Sequence, residues 1–289
     1  PSELPPIPNI FIDDDMLKII ASASRILGQL DQESEAIPNQ ALYLSMYIRK
    51  EALLSSQIEG TQATLDDIFD PHIQTHVNLE VTDVINYIKA LHFANELIRT
   101  LPISGRFLRE VHKVLLSGVR GEDKNPGEFR KSQNWIGPQG GTLKDAVFIP
   151  PNVEDMHQAL TQLETFIHDD DSHPLIKIAL THYQFETIHP FLDGNGRMGR
   201  LLIGLMLKET NLLRSDILYI SYYFKRHRME YYDRLMDVRL KGHYESWIRF
   251  FLKGIIQSGE NALENIQRLV SLNTRNAQLI EHTETRAKK

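Results

Sequence analysis

The chain has 289 residues, of which 42% are hydrophobic, a formal net charge of −6 and no cysteine. This length suits one large globular domain or two small ones, and the absence of cysteine excludes disulfides, thiolate catalysis and cysteine-ligated zinc. The negative charge and the absence of a signal-peptide pattern or a long apolar run lead us to expect a cytoplasmic protein, with no membrane association and no evident nucleic-acid site.

Apolar residues recur at three- and four-residue steps through most of the chain, which is the spacing of amphipathic helices. The pattern predicts helices over residues 16–30, 43–58, 81–98, 107–116, 153–167, 175–188, 198–207, 229–240 and 247–256. Helix starts are indicated by Thr64 with Asp67, by Ser104, and by Asn152 with Asp155. The polar tail from residue 271 is compatible with a continued helix. We therefore predict a mainly α-helical protein.

One segment departs from this pattern. Residues 134–151, NWIGPQGGTLKDAVFIPP, contain the β-prone pieces NWI and VFI on either side of a polar middle rich in glycine. Two such pieces around a glycine-containing connection predict a β-hairpin with a long tip. We refer to residues 134–150 as the flap, and we expect it to project from the helical body.

The segment IHPFLDGNGRMGR, residues 188–200, carries the densest chemistry in the chain. A helix is expected to end at His189, because the next residue is a proline, and another to begin near Asn195 or Gly196. DGNG is then the connecting loop. Its glycines allow backbone N–H groups to turn toward a ligand, and the following helix adds its positive N-terminal end. We therefore predict an anion site at this junction.

The charged residues of this segment indicate which anion would bind. Arg197 and Arg200 lie on nearly the same helical face, and two guanidiniums beside a glycine turn suit several phosphates. Asp193 would be out of place beside phosphates unless a divalent cation such as Mg²⁺ bridges them. His189 can take a proton near neutral pH. The segment thus combines a base, a metal ligand and a polyphosphate site.

The same segment resembles the signature of the Fic family, HPFx(D/E)GNGRxxR, at every fixed position. The resemblance extends to PGEFR at residues 126–130, to the flap, and to YISYYFKRHRMEYYDRL at residues 219–235. It implies an all-α Fic fold with a small β-hairpin flap. We accordingly divide the chain into an N-terminal helical region (1–100, with an inhibitory helix at about 43–60), a Fic core (101–242, with the catalytic loop at 189–200) and a C-terminal helical extension (243–289).

The family resemblance implies transfer of AMP from ATP to a Tyr, Thr or Ser hydroxyl of a target protein, or of the chain itself. By this resemblance, His189 deprotonates the hydroxyl, and Asp193 holds Mg²⁺ or Mn²⁺ against the phosphates. The nucleotide-binding residues implied are Gly194, Asn195, Gly196, Arg197, Arg200 and, against the adenine, Tyr231 or Tyr232. The flap residues implied in docking the target as an added strand are Trp135, Ile136, Val147, Phe148 and Ile149.

A second motif concerns control. SSQIEG, residues 55–60, matches the family's inhibitory motif (S/T)xxxE(G/N) through Ser55 and Glu59. A bidentate ion pair between Glu59 and Arg200 would occupy the guanidinium that should hold the γ-phosphate, so that ATP binds with its α-phosphate misaligned. In a plainer interpretation, Glu59 only ends an exposed helix before Gly60.

Other interpretations remain open at this point. Tyr231 and Tyr232 are as readily core residues as nucleotide contacts, and the flap aromatics could simply pack against the body. Glu186–His189 and Glu154–His157 are Glu-x-x-His pairs, as in di-iron helical proteins, although both lie at helix ends.

Within the Fic family, transfer of another nucleotide or a phosphate, removal of AMP, and a catalytically silent nucleotide-binding regulator are the alternatives. The sequence does not specify the target, the releasing signal or a C-terminal DNA-binding module, and a homo-oligomer is compatible with it.

Overall fold

The structure is a computed structural model that describes residues 1–6, 9–37, 39–69, 78–118, 122–137, 140–169 and 171–287. Within these residues the fold is built from helices, which confirms the predicted fold class. They are α1 (Asp14–Glu35), α2 (Gln40–Ile58), α3 (Leu65–Phe69), α4 (Leu79–Leu97), α5 (Gly105–Leu115), α6 (Val153–Ile167), α7 (Pro174–Ile188), α8 (Asn195–Glu209), α9 (Ile220–Arg226), α10 (Arg228–Lys241) and α11 (Tyr244–Ala287).

The predicted helix starts are confirmed by side-chain caps. The Ser104 hydroxyl accepts the N–H three residues further on at 3.2 Å, and Asn152 Oδ1 accepts the N–H of Asp155 at 2.9 Å. Thr64 and Asp67 cap each other reciprocally at the start of α3. Each cap satisfies an N–H group that has no acceptor inside its own helix.

Helix α7 is the centre of the fold, because every residue from Leu175 to Ile188 is buried. Helix α8 packs along it, α11 crosses it, and the Trp247 indole donates to the Ala179 carbonyl at 2.8 Å. The inhibitory-motif helix α2 lies against α4, α8 and α9. Its buried Glu51 accepts hydrogen bonds from the N–H and hydroxyl of Ser221 on α9, and burial raises the pKa of Glu51 to about 7.

The predicted hairpin is reduced to one antiparallel bridge, between Ile136 and Phe148. The Ile136 N–H donates to Phe148 O, and the Val147 N–H to Ile136 O, both at 2.8 Å. The β-prone pieces are only three residues long, too short for a longer ladder, and residues 138–139 at the tip lie outside the described residues. Trp135, Val147 and Ile149 are exposed, whereas Ile136 and Phe148 are half-buried. No helix in the described part of the chain is long and apolar enough to cross a bilayer.

Candidate active site

The junction of α7 and α8 adopts the predicted helix–loop–helix arrangement. His189 follows the last residue of α7 with left-handed φ and ψ of 50° and 61°, and its N–H donates to Phe185 O at 2.9 Å. Gly194 is also left-handed, with φ of 74°, and α8 begins at the next residue. A left-handed non-glycine residue costs about 1–3 kcal/mol, so the surrounding contacts must hold His189 in place.

Asn195 closes the loop on itself. Its Oδ1 accepts the Phe191 N–H at 2.9 Å, and its Nδ2 donates to the Phe191 carbonyl at 2.8 Å. The Gly194 N–H is 2.6 Å from Asp193 Oδ1. Because the Asn195 side-chain amide and the Gly194 N–H are committed to the loop, the backbone N–H groups of Asn195 and Gly196 are left for an anion.

His112 of α5 supports the loop from below, and sequence reasoning missed it. Its ring stacks on Phe191 at a centroid distance of 3.7 Å. Nδ1 accepts the Gly127 N–H at 2.9 Å, so Nε2 carries the proton and donates to the Asp193 carbonyl at 3.0 Å. Burial lowers the pKa of His112 to about 4, which keeps this tautomer neutral. A lone histidine in an amphipathic helix gives no motif by which it could be found.

Two further residues fix the peptide bonds around His189. Arg130 Nε donates to the His189 carbonyl at 3.1 Å, and the Arg130 N–H to the Pro190 carbonyl at 2.9 Å. Asn134, at the base of the flap, donates to the carbonyls of His189 and Phe191 at 3.1 and 2.9 Å. The PGEFR segment thereby ties the flap to the catalytic loop, a role the sequence pattern did not specify.

Arg200 is buried under the end of α2, with its side chain 1% exposed. Its Nε donates to the Ser55 hydroxyl at 2.8 Å, and its NH2 donates to the Ser55 carbonyl at 2.9 Å and to Glu59 Oε1 at 2.6 Å. The predicted pairing of Glu59 with Arg200 is therefore present, but the bidentate geometry was wrong. One carboxylate oxygen is bound, through NH2, and Ser55 takes Nε and the second NH2 hydrogen.

Glu59 lies over the start of α8. A Cβ added to Gly196 would be 2.1 Å from Glu59 Oε1, so the carboxylate covers the helix N-terminus at this glycine. Burial alone would raise the pKa of Glu59, but the charge and hydrogen bond of Arg200 outweigh it and hold that pKa below the usual value. Glu59 does end α2 before Gly60, whose φ is +100°, but it also pairs with Arg200, so the interpretation that it only ends an exposed helix is wrong.

Arg197 points toward α4. Its NH1 lies 3.1 Å from Asp83 Oδ1, and both side chains are less than a tenth exposed, while Asp193 Oδ1 is 3.9 Å from its NH2. A cation in the first turn of a helix is unfavourable beside the positive end of the helix dipole. Asp83 supplies the negative charge that compensates Arg197 at the start of α8. Sequence reasoning missed Asp83, which is distant in the chain and belongs to no motif.

His189 is a neutral imidazole at physiological pH. Burial, together with the nearby charge of Arg239, lowers its pKa to about 4, against an opposing effect of Glu59. One turn earlier on α7, Glu186 is also buried, and its Oε1 makes no hydrogen bond within the described residues. Burial raises the pKa of Glu186 to about 7.

The two candidate adenine contacts differ in exposure. Tyr231 is 1% exposed, and its hydroxyl lies 2.9 Å from His182 Nε2 inside the aromatic core, so its predicted contact with a nucleotide gives way to the core interpretation. Tyr232 is 36% exposed, with its ring 5.1 Å from that of Tyr231. Helical periodicity could not separate the two, because adjacent residues straddle the edge of the buried face.

No group of three or more His, Asp or Glu side chains suited to a metal forms in the part of the chain that the structure describes. The di-iron interpretation therefore has no ligand set there; His157 instead contacts the Phe129 ring edge-on. Asp193 is 44% exposed, so its carboxylate is accessible beside the loop glycines. A single carboxylate of this kind suits Mg²⁺ that takes its other ligands from phosphates and water.

Two sequence profiles of one family match the chain. The profile described as "Fic/DOC family N-terminal" covers residues 17–96, and the one described as "Fic/DOC family" covers residues 102–207, so together they span more than half of the chain. Protein adenylyltransferase Fic of Drosophila grimshawi is 26% identical over 240 residues, 82% of this chain and 44% of that protein. The corresponding protein of Culex quinquefasciatus is 32% identical over 146 residues, 50% of this chain and 26% of that protein.

The chain spans less than half the length of these curated relatives. Among solved structures, a Fic family protein from Desulfovibrio desulfuricans G20 aligns with a TM-score of 0.72 at 22% identity, over 89% of this chain and 76% of that one. A Fic domain containing signaling protein from Bacteroides thetaiotaomicron aligns with a TM-score of 0.62 at 18% identity, over 84% and 97% of the two chains. At these identities the structural similarity establishes the fold.

Proposed function

The chain belongs to the Fic family, and from this premise we propose that it is a protein adenylyltransferase, which transfers AMP from ATP to a hydroxyl side chain of a protein and is inhibited by its own α2. The observation that carries the proposal is the junction of α7 and α8. A neutral imidazole, a glycine-capped helix N-terminus and a buried arginine meet there within twelve residues.

In this proposal, the acceptor hydroxyl oxygen attacks the α-phosphorus of ATP. The bond from that phosphorus to the bridging oxygen breaks, and diphosphate leaves. The hydroxyl proton passes to His189 Nε2, since Nδ1 is buried against the end of α7. A neutral imidazole is the form that can accept this proton, and burial keeps His189 in that form.

The phosphate chain would lie at the positive end of α8, on the backbone N–H groups of Asn195 and Gly196 and, once Asp193 Oδ1 releases it, on that of Gly194. Arg197 and Arg200 would contribute charge, and positioning with charge stabilisation supplies most of the catalysis in phosphoryl transfer. Asp193 would hold Mg²⁺ or Mn²⁺, which when bound neutralises phosphate charge. Tyr232, at the exposed rim, is the candidate for stacking on the adenine.

Glu59 would inhibit by position and by charge. Its carboxylate covers Gly196, where a phosphate would approach the helix, and it engages the Arg200 guanidinium that would hold the γ-phosphate. Ser55 would keep that arginine oriented. The flap would dock the target along its exposed edge, through Trp135, Ile136, Val147, Phe148 and Ile149, and the division at residues 100 and 242 would separate the inhibitory region, the Fic core and the C-terminal extension.

The test is to incubate wild type, Glu59→Gly and His189→Ala with α-labelled ATP, CTP, GTP and UTP, with the chain itself as the acceptor. We expect ATP to label the Glu59→Gly protein more strongly than wild type, and His189→Ala to stay unlabelled. Labelling that persists in His189→Ala would refute the proposed base. Labelling by UTP in preference to ATP, or by γ-labelled but not α-labelled ATP, would favour transfer of UMP or phosphate instead.

A further inference from the structure

Arg239, near the end of α10, bridges two parts of the site that are separate in sequence. Its Nε donates to the Thr187 hydroxyl and its NH2 to the Glu186 carbonyl, both at 3.1 Å, so it binds the last turn of α7. Its guanidinium carbon also lies 3.8 Å from the ring centroid of Phe148 in the flap. One planar cation thus contacts both the helix turn before His189 and the segment that would receive the target.

Arg239 also acts on the base through the backbone. It holds the Glu186 carbonyl and the Thr187 hydroxyl, which belong to the turn of α7 that ends at His189. The Nδ1 atom of His189 is buried and makes no hydrogen bond within the described residues, so the ring is not held by a side-chain hydrogen bond at that atom. Arg239 therefore positions the base through the helix turn from which it projects.

Charge is the second connection. Besides burial, the charges of Arg239 and Arg130 lower the pKa of His189 and the charge of Glu59 raises it. The effect of Arg239 is the largest of these three. Arg239 is half-buried among apolar and aromatic side chains, where a charge is screened less than at the surface. The same residue thus affects both the orientation and the protonation of the base.

We propose that Arg239 is a positioning residue that couples the flap to His189, so that a target strand seated on the flap and the imidazole that deprotonates its hydroxyl are held by the same guanidinium. The inference rests on the proposed function, because it requires a hydroxyl acceptor at the flap. A cation stacked on an aromatic ring can transmit a displacement of the flap, since the stack has both a preferred distance and a preferred orientation.

The experiment uses the full chain in the Glu59→Gly background. Arg239→Met removes the charge and keeps the length of the side chain, whereas Arg239→Lys keeps the charge and loses the planar fork. Phe148→Leu removes the ring and leaves Arg239 intact, so it tests the coupling even if the arginine variants fold poorly. Arg234→Met, on the exposed face of the same helix where it pairs with Glu230, is the matched control.

Two readouts are needed. The first is the pKa of His189 from imidazole NMR titration, with the resonance assigned by His189→Ala. The second is the pH profile of self-labelling by α-labelled ATP. In Arg239→Met we expect the titration and the acid limb of the profile to move upward by about one pH unit, because a positive charge near the imidazole has been removed. Arg239→Lys and Phe148→Leu should keep the parent titration but lose turnover about tenfold at saturating ATP, with the KM for ATP unchanged.

If the Glu59→Gly parent is labelled but the pKa of His189 does not move in Arg239→Met, the role of Arg239 is overturned. Parental turnover in folded Phe148→Leu would overturn the coupling to the flap. A parent that forms no labelled protein would refute the proposed function, and the inference with it. The NMR titration distinguishes these failures, because it does not depend on AMP transfer.

Discussion

Replacing Glu59 with glutamine separates the charge of the side chain that we propose to be inhibitory from its volume. Glutamine keeps a side chain of almost the same size over Gly196 but removes the negative charge that binds Arg200 NH2 at 2.6 Å. Glu59→Gly removes both. If inhibition is a competition between a carboxylate and a phosphate for Arg200, the glutamine variant should already be partly active, and the glycine variant should be more active.

The magnitude follows from the contact. A hydrogen bond between charged groups contributes about 1.5–3 kcal/mol. Arg200 is fully buried, but the Glu59 side chain is 40% exposed, so solvent screening places this pair at the lower end of that range. About 1.4 kcal/mol corresponds to a factor of ten, and we therefore expect Glu59→Gln to raise the initial rate of labelling about tenfold at subsaturating ATP.

The assay is the initial rate of AMP incorporation from α-labelled ATP, with circular dichroism to show that each variant is folded. Glu96→Gln is the matched control, because it breaks an exposed ion pair with Arg99 on the outer surface of α4. A glutamine variant as silent as wild type beside an active glycine variant would show that volume, not charge, inhibits. Unchanged or lower labelling in both folded variants would refute the inhibitory role of Glu59.

Three further predictions concern the structure around the site. Gly199→Ala should lower the free energy of unfolding by about 1–3 kcal/mol, because its Cβ would lie 2.6 Å from Glu186 Oε1. Gly204→Ala on the same helix, whose Cβ would have no atom within 4 Å, should raise that free energy by up to about 1 kcal/mol. Thermal melts compare the two variants, and equal melting shifts would contradict this prediction. His112→Phe preserves the stacked ring but loses two hydrogen bonds, so urea unfolding should show a loss of about 2–4 kcal/mol and labelling should slow; wild-type stability would contradict the supporting role of His112. The stability advantage of wild type over His112→Phe should shrink as the pH drops from 6.5 toward 4, because burial lowers the pKa of His112 to about 4, below its usual 6.5, and the unfolded wild-type chain therefore binds an extra proton at this residue; a difference in urea midpoint that is independent of pH over this range would be the contrary result.

The sequence predicted a helix with its bounds where both a capping residue and a regular apolar stripe are present. Helix α6 was predicted with its bounds because Asn152 caps its start and a regular apolar stripe runs to Ile167. The short helix α9 was missed, since seven residues, three of them consecutive aromatics, do not establish a period. Helix α11 was predicted to residue 256, with the polar tail from residue 271 compatible with its continuation, and the helix runs to Ala287. Its buried Ala262, Leu263 and Ile266 lie among polar residues that obscure the apolar stripe beyond residue 256.

The site residues that belong to a sequence motif were predicted, and those that reach the site from distant segments were not. The approach of Glu59 to Arg200, 141 residues apart in sequence, was anticipated because both lie in recognisable motifs. His112, Asp83 and Arg239 were not, because each acts through a tertiary contact that no local pattern encodes. Their contribution depends on which helices meet around α7, and periodicity determines only which face of a helix is buried.

The location of the inhibitory carboxylate at the very tip of its helix has a kinetic consequence. Glu59 follows the last residue of α2, while two turns earlier Glu51 anchors the same helix to α9 through Ser221. Helix ends fray far more readily than helix interiors, because the last carbonyls have no intrahelical partners. Unwinding the last turn of α2 breaks the hydrogen bonds that the Ser56 and Gln57 carbonyls accept from the N–H groups of residues 59–61. It would withdraw the carboxylate from Arg200 while the body of the helix stays docked, so the proposed site would open without a rearrangement of the other helices.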